Sequence, residues 1–502
     1  MAIGKMSLLS LPRALENAQD WESTGEWAAA ESIYREILGS FPNHPRTLGL
    51  LGTLLLRNKC FEEALALFDK ALAADRSCHW IHNGRGCALE GLGQKAASVS
   101  SYRKAAELQP EDEVAANNLK RMLGQLGRFS MGSKKPSSGR IRALAITVAP
   151  DWWTIARLPS QLVAAGFDVA AFCPEHSFLA LTDFVNERYF LQGDEIADEL
   201  ADAVAAWKPD LIVPGDEFAV HLLHHVDRLD VPAHLRQLIR RSCGDSRFYD
   251  VVSDKSRTLE EAASLGIRHP AQALAAELDA FSAVHGYPLL IKMSIGMAGK
   301  TVRACSDSTT AAAAITELQH LLLPPYAPPS SLSVQKHIDG YPASVSFVAL
   351  DGCLLDSFTY RTEESATVCG PSCVIKRIDY PEIEQIARQL IAHFGFTGFG
   401  GFDFMIESGS GAVHLLEMNP RVTISSHLGT AFGHDLSHAL HAAMTGAAIP
   451  PSTNGNEVVA IFPQEWWRDA ASPYLKRYFS DVPWDDPKLL SHVISMKKVS
   501  AL

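Results

Sequence analysis

The sequence predicts a multidomain protein: an α-helical solenoid, then a small α/β domain, then a larger α+β domain. Three observations carry this reading. The first 128 residues repeat with a period of 34, strands alternate with helices after a polar linker, and beyond residue 250 short strands bearing lysines and carboxylates take over. These changes set the expected boundaries: repeats over 10–128, a linker over 129–140, the α/β domain over 141–250, the α+β domain over 251–450, and a packed C-terminal extension over 451–502. A chain of 502 residues exceeds what one core organises, in keeping with three or four domains.

The repeats come first. Trp27, Ala30, Tyr34, Ile37 and Pro42 recur 34 positions later as Phe61, Ala64, Phe68, Ala71 and Arg76, and again as Lys95, Ser98, Tyr102, Ala105 and Pro110. Gly52 and Gly86 obey the same period. Small residues where helices cross, with aromatics beside them, are the tetratricopeptide signature. The match covers about three repeats, and Glu113 to Gly127 reads as a capping helix. The third repeat departs at Lys95 and Ser98, where apolar or small residues are usual. Stacked helix pairs form a short solenoid with a concave groove. Such an arm packs on the adjacent domain or mediates self-association, or it captures a separate protein or peptide. The sequence leaves both open, and no repeat residue suggests catalysis.

Arg128 to Arg140 is polar, basic and glycine/serine-rich, as linkers are. Next, Ile141 to Val148 reads as a buried strand, Leu158 to Ala165 as a helix ended by Gly166, and Phe167 to Phe172 and Asp210 to Pro214 as further strands. This alternation predicts a doubly wound α/β unit. Asp216 and Glu217 lie just past a strand end, where such sheets bind ligands. They read here as a solvated acidic loop.

The chemistry-bearing segments follow. Ser253 or Asp254 caps a helix running to Leu265, with Lys255 on its first turn. Tyr287 to Lys292 is an apolar strand ending in a lysine, and it runs into Gly296-Met297-Ala298-Gly299-Lys300 and a further strand, Thr301 to Cys305. A strand lysine beside a loop of small residues can hold phosphates by charge and by backbone N–H groups. Because the loop joins two strands, it is not the helix-opening P-loop. Leu332 to Gly340 is a strand ending in a turn, and a strand crossing between lobes can offer its main chain to an adenine edge.

Gly400 to Ile406 and His414 to Arg421 then read as a hairpin turned at Ser408 to Gly411. Glu417 and Asn419 share a strand face. Asp403 stands opposite Glu417 if the loop has five residues, Ser408 to Ala412, or if a strand bulges. Two facing carboxylates repel unless a cation lies between them. Three hard oxygen ligands with an arginine beyond suit a magnesium-bound polyphosphate.

Taken in order, Asp254-Lys255, Lys292 with its glycine loop, Gln335 to Gly340, Asp403, and Glu417-x-Asn419-Pro420-Arg421 resemble the ATP-grasp superfamily of carboxylate ligases. Biotin carboxylase and D-alanine–D-alanine ligase belong to it. The resemblance covers about residues 141–450. It implies that Lys255 and Lys292 contact ATP phosphates and that the loop with Gly296 and Gly299 closes over them. It further implies that Gln335, Lys336 and Ile338 are adenine-hinge positions, and that Asp403, Glu417 and Asn419 are ligands of Mg2+ or Mn2+. Arg421, with Lys292, would serve the transferring phosphate or the substrate carboxylate. Two departures stand out: Pro342 lies where many relatives carry a ribose-binding glutamate, and Lys336-His337 is more basic than many hinges.

The implied activity is ATP-dependent activation of a carboxylate as an acyl phosphate and its joining to an amine, with release of ADP and phosphate. The alternatives are a carboxylating or phosphorylating enzyme on the same nucleotide site, or a tetratricopeptide adaptor whose grasp domain only senses nucleotide. Expected partners are small carboxylates and amines, a protein or peptide on the arm, and further copies of the chain.

Other positions read as structural. Arg361 is expected in a surface ion pair, Cys369 to Cys373 in a turn, and His427 and His434 as satisfied histidines. Trp466, Trp467 and Trp484 are expected to pack the extension onto the body. A net charge of −12 argues against general binding to nucleic acid or an anionic membrane. Nine scattered cysteines suit reduced thiols in a cytoplasmic setting.

Overall fold

The computed structural model describes residues 11–496 apart from residues 76, 110–113, 116, 119–120, 123–138, 194, 297–298, 368–369 and 450. The expected capping helix at 113–127 and most of the linker fall largely outside the described residues, as do Arg76, Met297, Ala298 and Cys369. The chain forms two compact units.

Among the described residues, the first includes the helices α1 (Leu11–Ser23), α2 (Trp27–Ser40), α3 (Pro45–Arg57), α4 (Phe61–Ala74), α5 (His79–Gly91) and α6 (Lys95–Leu108). Odd-numbered helices begin at 11, 45 and 79 and even-numbered ones at 27, 61 and 95, so the sequence period is the helix-pair period. Ala30, Tyr34, Ala64, Phe68 and Tyr102 are buried where the pairs stack. The periodic glycines have a packing cause. A Cβ on Gly52 would lie 2.9 Å from the Phe68 ring, and one on Gly86 2.6 Å from the Tyr102 ring. Ser98 is buried, so the departure there is a small residue in the expected packing role.

Beyond the repeats, the described residues form three sheets. β1 (Arg142–Ile146), β2 (Asp168–Cys173), β3 (Glu187–Phe190) and β4 (Leu211–Pro214) lie in the order β3-β2-β1-β4, with β1 parallel to β2 and β4. The short, half-buried β3 has no counterpart in the sequence reading. A small sheet of β5 (Gln272–Leu274), β6 (Leu289–Met293), β7 (Val302–Cys305) and β8 (Leu332–Lys336) has the order β5-β8-β6-β7. The helix Ser308–Gln319 covers it through Ala311, Ala314 and Leu318.

The large sheet comprises β9 (Gly340–Leu350), β10 (Cys353–Ser365), β11 (Ser372–Arg377), β12 (Gly398–Glu407), β13 (Val413–Asn419), β14 (Val458–Ala460) and β15 (Phe479–Ser480), in the order β13-β12-β9-β10-β11-β14-β15. One core joins it to the α/β layer, with Phe358, Phe399 and Val422 packed with Ile155, Leu158 and Leu162. A second core packs Phe347, Phe402 and Phe404 under the helix Pro381–Phe394. The C-terminal residues are part of this architecture, because β14 pairs with β11. Trp466 and Trp467 pack with Trp153, Phe178 and Phe462. Trp484 does not. It is 76% exposed, and Val482 takes the packing place instead.

The β12–β13 hairpin decides the site. Ile406 pairs with Val413 and the Glu407 N–H donates to the Ala412 carbonyl, so the connecting loop has an even count, residues 408–411. Unbroken, that register would turn Asp403 away from Glu417. A bulge at Leu416 shifts it, and Asp403 faces Glu417 while Gly401 faces Asn419.

Candidate active site

Lys255 is the first residue of the helix Lys255–Ser264, whose N-cap is Asp254, accepting from the Arg257 N–H at 3.0 Å. A cation at a helix N-terminus opposes the helix dipole, and burying it costs more. Yet the Lys255 side chain is only 8% exposed, and its Nζ lies 2.8 Å from Glu417 Oε2. Burial pulls the ammonium pKa down, but Glu417 and then Glu217 outweigh it and leave the value raised.

Lys292 stands near the end of β6 and is also buried, with Nζ donating to Gln335 Oε1 at 3.3 Å. A narrow crevice is lined by Lys255, Lys292, Gln335, Gln272 and the bulged Leu416. The loop after β6 needs its glycines. Gly296 and Gly299 have φ of 151° and 71°, and a Cβ on Gly296 would meet Thr301 at 2.2 Å.

Between β8 and β9 the chain passes from the small sheet to the large one. The Lys336 N–H is already engaged by the Ala271 carbonyl at 2.9 Å, its side chain is exposed, and Ile338 is buried. Gly340 is required by a close approach, since a Cβ there would lie 2.2 Å from the Ile406 carbonyl oxygen. Pro342 pairs with Met405 and supplies no carboxylate.

Across the crevice, Asp403 accepts from Ser344 Oγ at 2.6 Å and from Asn419 Nδ2 at 2.9 Å. Burial, and then the Glu417 charge, push the Asp403 carboxyl above the usual range. Burial pushes Glu417 the same way, but Lys255 first, then Lys292 and Arg421, hold it well below. The pair therefore behaves as one cation-seeking site, with Lys255 supplying the positive charge. Asn419 Oδ1 accepts from Arg421 Nη2 at 3.1 Å, so the amide bridges Asp403 to Arg421. Among the described residues, no three His, Cys, Asp or Glu side chains converge on a metal position. The facing carboxylates of Asp403 and Glu417 nevertheless fit Mg2+, which keeps water and phosphate oxygens among its ligands, and Asn419 would join them as an oxygen donor on turning its amide over from Arg421.

Arg421 is 6% exposed and also donates from Nε to Glu217 Oε2 at 3.2 Å and from Nη1 to the Val422 carbonyl at 3.1 Å. Its guanidinium lies 5.1 Å from the Trp152 ring. Asp216 and Glu217 are thus no solvated loop. Asp216 caps the helix Glu217–Arg228 through the Ala219 N–H and ties β4 to β1 by accepting from Thr147 Oγ1 at 2.6 Å and the Val148 N–H at 2.7 Å. Glu217 is 1% exposed, held inside by Arg421. An acidic N-cap directly after a Pro-Gly strand end was the available signal for Asp216. Nothing local signalled Glu217, Ser344 or Trp152.

The remaining positions are structural. His427 pairs with buried Asp481 at 2.7 Å and His434 with Asp356 at 2.8 Å. Arg361 pairs with Glu363 at 2.6 Å on β10.

Residues 252–425 match the family model of the ATP-grasp domain. The chain carries an ATP-grasp domain. Residues 23–80 and 81–112 match tetratricopeptide repeat models, so a repeat arm precedes it. Among solved structures, the biotin carboxylase domain of Hydrogenobacter thermophilus 2-oxoglutarate carboxylase, determined with MgADP, ADP and bicarbonate, aligns at 16% identity and a TM-score of 0.51, covering 62% of this chain and 72% of that one. Rhizobium etli pyruvate carboxylase aligns at 16% identity and a TM-score of 0.50, covering 65% of this chain and 29% of that one. An L-amino acid ligase from Bacillus licheniformis aligns at 14% identity and a TM-score of 0.46, covering 62% and 78%. These are likenesses of fold. No helix among the described residues is long and apolar enough to cross a membrane.

Proposed function

We propose that this protein is an ATP- and magnesium-dependent ligase that activates a carboxylate as an acyl phosphate and joins it to an amine, releasing ADP and phosphate. The observation that carries the proposal is the buried alternation of charge from Lys255 through Glu417 and Asp403 to Asn419, Arg421 and Glu217. Three cations (Lys255, Lys292 and Arg421) face three acids (Asp403, Glu417 and Glu217). Such a set stays folded without ligand because each charge has a counterion. It accepts a metal–polyphosphate by exchange, the acids taking the metal and the lysines the phosphates.

In this reading Lys255 and Lys292 orient the triphosphate in the crevice that both line. The loop with Gly296 and Gly299 closes over it and excludes water that would hydrolyse the activated acid. Gln335, Lys336 and Ile338 border the base, with the Lys336 N–H already held by the Ala271 carbonyl in the sheet. Asp403, Glu417 and Asn419 would hold Mg2+, which supplies charge neutralisation and alignment of phosphate oxygens. Arg421 retains N–H donors beyond those already engaged and presents them to the carboxylate or the phosphoryl group in transfer. The carboxylate oxygen attacks the γ-phosphorus, ADP leaves, and the amine nitrogen then displaces phosphate at the acyl carbon, losing a proton. The repeat arm is assigned to binding a protein or peptide, or to holding copies of the chain together.

The test is product analysis. Protein, ATP, Mg2+ and pooled organic acids and amines should yield an amide by mass spectrometry together with ADP and phosphate. ADP and a phosphorylated acceptor, with neither free phosphate nor amide from any pool, would turn the reading toward a kinase-like activity.

A further inference from the structure

The turn that carries Arg421 is fastened to the large sheet by hydroxyl groups. On the site face of that sheet, Tyr360, Ser344, Asp403 and Glu417 stand opposite one another across β10, β9, β12 and β13. The next rung on this face, two residues along each strand, is Phe358, Ser346, Gly401 and Asn419. Gly401 offers no side chain, and Thr423 takes its place: a Cβ on Gly401 would lie 2.8 Å from Thr423 Cγ2. The chain has therefore turned back past Arg421 and lies over the rung that bears Asn419.

Five hydroxyls hold it there. Thr423 Oγ1 is 3.0 Å from both Ser346 Oγ and Ser426 Oγ, and the Thr423 N–H donates to Ser426 Oγ at 2.8 Å. Ser425 Oγ is 2.5 Å from Ser346 Oγ and 2.9 Å from Tyr360 Oη. All five residues are at most 8% exposed. Burial, and then the Asp403 charge, push the Tyr360 phenol up to about 12, so it stays protonated. On the other side of the turn, the Val422 N–H donates to the Pro214 carbonyl at 3.0 Å, at the end of β4. Arg421 thus sits between Asn419 on β13 and a stretch anchored twice.

The surroundings are the apolar core that contains Phe358, Phe399 and Val422. Apolar side chains of like shape would serve stability there about as well, because a satisfied pair of buried hydroxyls gains little over a well-packed apolar pair. What hydrogen bonds add is direction, since they fix distance and angle where methyl contacts allow sliding. Strand β9 also holds Asp403, through Ser344 Oγ at 2.6 Å. One strand therefore sets both the acid and the turn that bears the arginine.

We propose that the hydroxyl cluster of Ser346, Tyr360, Thr423, Ser425 and Ser426 is a positioning device that aims Arg421 at the phosphoryl group in transfer, acting on the transition state and not on nucleotide affinity. This rests on the phosphoryl transfer of the proposed function, and it assigns a role to residues that touch neither nucleotide nor metal in that reading.

Thr423→Val removes one hydroxyl at nearly constant shape. It leaves every other member a partner: Ser346 with Ser425, Ser425 with Tyr360, and Ser426 with the N–H of residue 423. Its Tm should therefore fall by about 2 °C or less. The full chain is titrated calorimetrically with ADP and Mg2+, with and without aluminium fluoride, which beside ADP imitates a phosphoryl group in transfer. Aluminium fluoride should tighten ADP binding to the native protein about a hundredfold or more. Thr423→Val should cut that gain at least tenfold while leaving the Kd of ADP alone within about twofold, and Thr423→Ser should restore it to within about threefold. Arg421→Lys should also cut the gain, and adding Thr423→Val to it should cost no more than about twofold further. An undiminished gain in Thr423→Val would overturn the positioning role. So would a loss that Thr423→Ser does not repair, which points to the methyl over Gly401, or a loss that multiplies with that of Arg421→Lys. A native protein that gains nothing from aluminium fluoride would overturn the phosphoryl-transfer reading itself, and this role with it.

Discussion

Glu217→Gln isolates what the α/β domain contributes to the site. The Glu217 and Arg421 side chains are 1% and 6% exposed and 3.2 Å apart, so removing the acid's charge leaves a buried guanidinium without its anion. Breaking such a pair costs about 3–5 kcal/mol. Two features reduce the loss. A glutamine oxygen still accepts from Arg421 Nε, and burial already pushes the Glu217 carboxyl up, so its removal also removes a desolvation cost. About 2–3 kcal/mol remains, which for a unit of this size is roughly 3–4 °C in Tm. Thermal unfolding with and without Mg2+ and a non-hydrolysable ATP analogue is the assay. Because the proposed phosphates would supply the missing anion, the analogue should raise the Tm of the variant by several degrees more than that of the native protein. A variant Tm within about 1 °C of native, or equal protection of both, would refute the reasoning.

Three other outcomes are expected. Stability should fall on acidification through His221 and His224. Their folded pKa values lie below the unfolded 6.5, so the contribution is complete above pH 6.5 and drains as pH falls toward 4. His224→Phe, which keeps the stack on Tyr249, should flatten that loss by up to about 1.4 kcal/mol per pH unit in chemical denaturation at pH 7 to 5. Gly296→Ala should reduce turnover at least tenfold and also lower the Tm, because a Cβ there meets buried Thr301 at 2.2 Å at a backbone φ of 151° that side chains disfavour, both read on the same preparation. In the C-terminal segment, Trp466→Ala should cost up to about 3 kcal/mol by losing its stack on Phe462, whereas Trp484→Ala should stay within roughly 0.5 kcal/mol, both read by denaturation.

Legibility of this chain tracked the range of the forces involved. The described helices of the arm were readable because each repeat restates the same local packing, down to glycines facing Phe68 and Tyr102. Strand lysines and the Glu417–Asn419 alternation were readable because side-chain direction along a strand has period two. Whether Asp403 meets Glu417 was not, since it depends on a bulge at Leu416 that loop length alone does not reveal. Glu217 was misread as solvated because its burial depends on an arginine 204 positions away. Strands β14 and β15 escaped for a similar reason, as three and two residues respectively become strands only by pairing with distant chain.

The most direct test of the account is phosphate release by the native protein and by Glu417→Gln, with ATP, Mg2+, a carboxylate and an amine supplied together and with each left out in turn. The account predicts release by the native protein that requires all four components, and none by Glu417→Gln although its circular dichroism spectrum is unchanged. Release that continues in Glu417→Gln would contradict the assignment of the site.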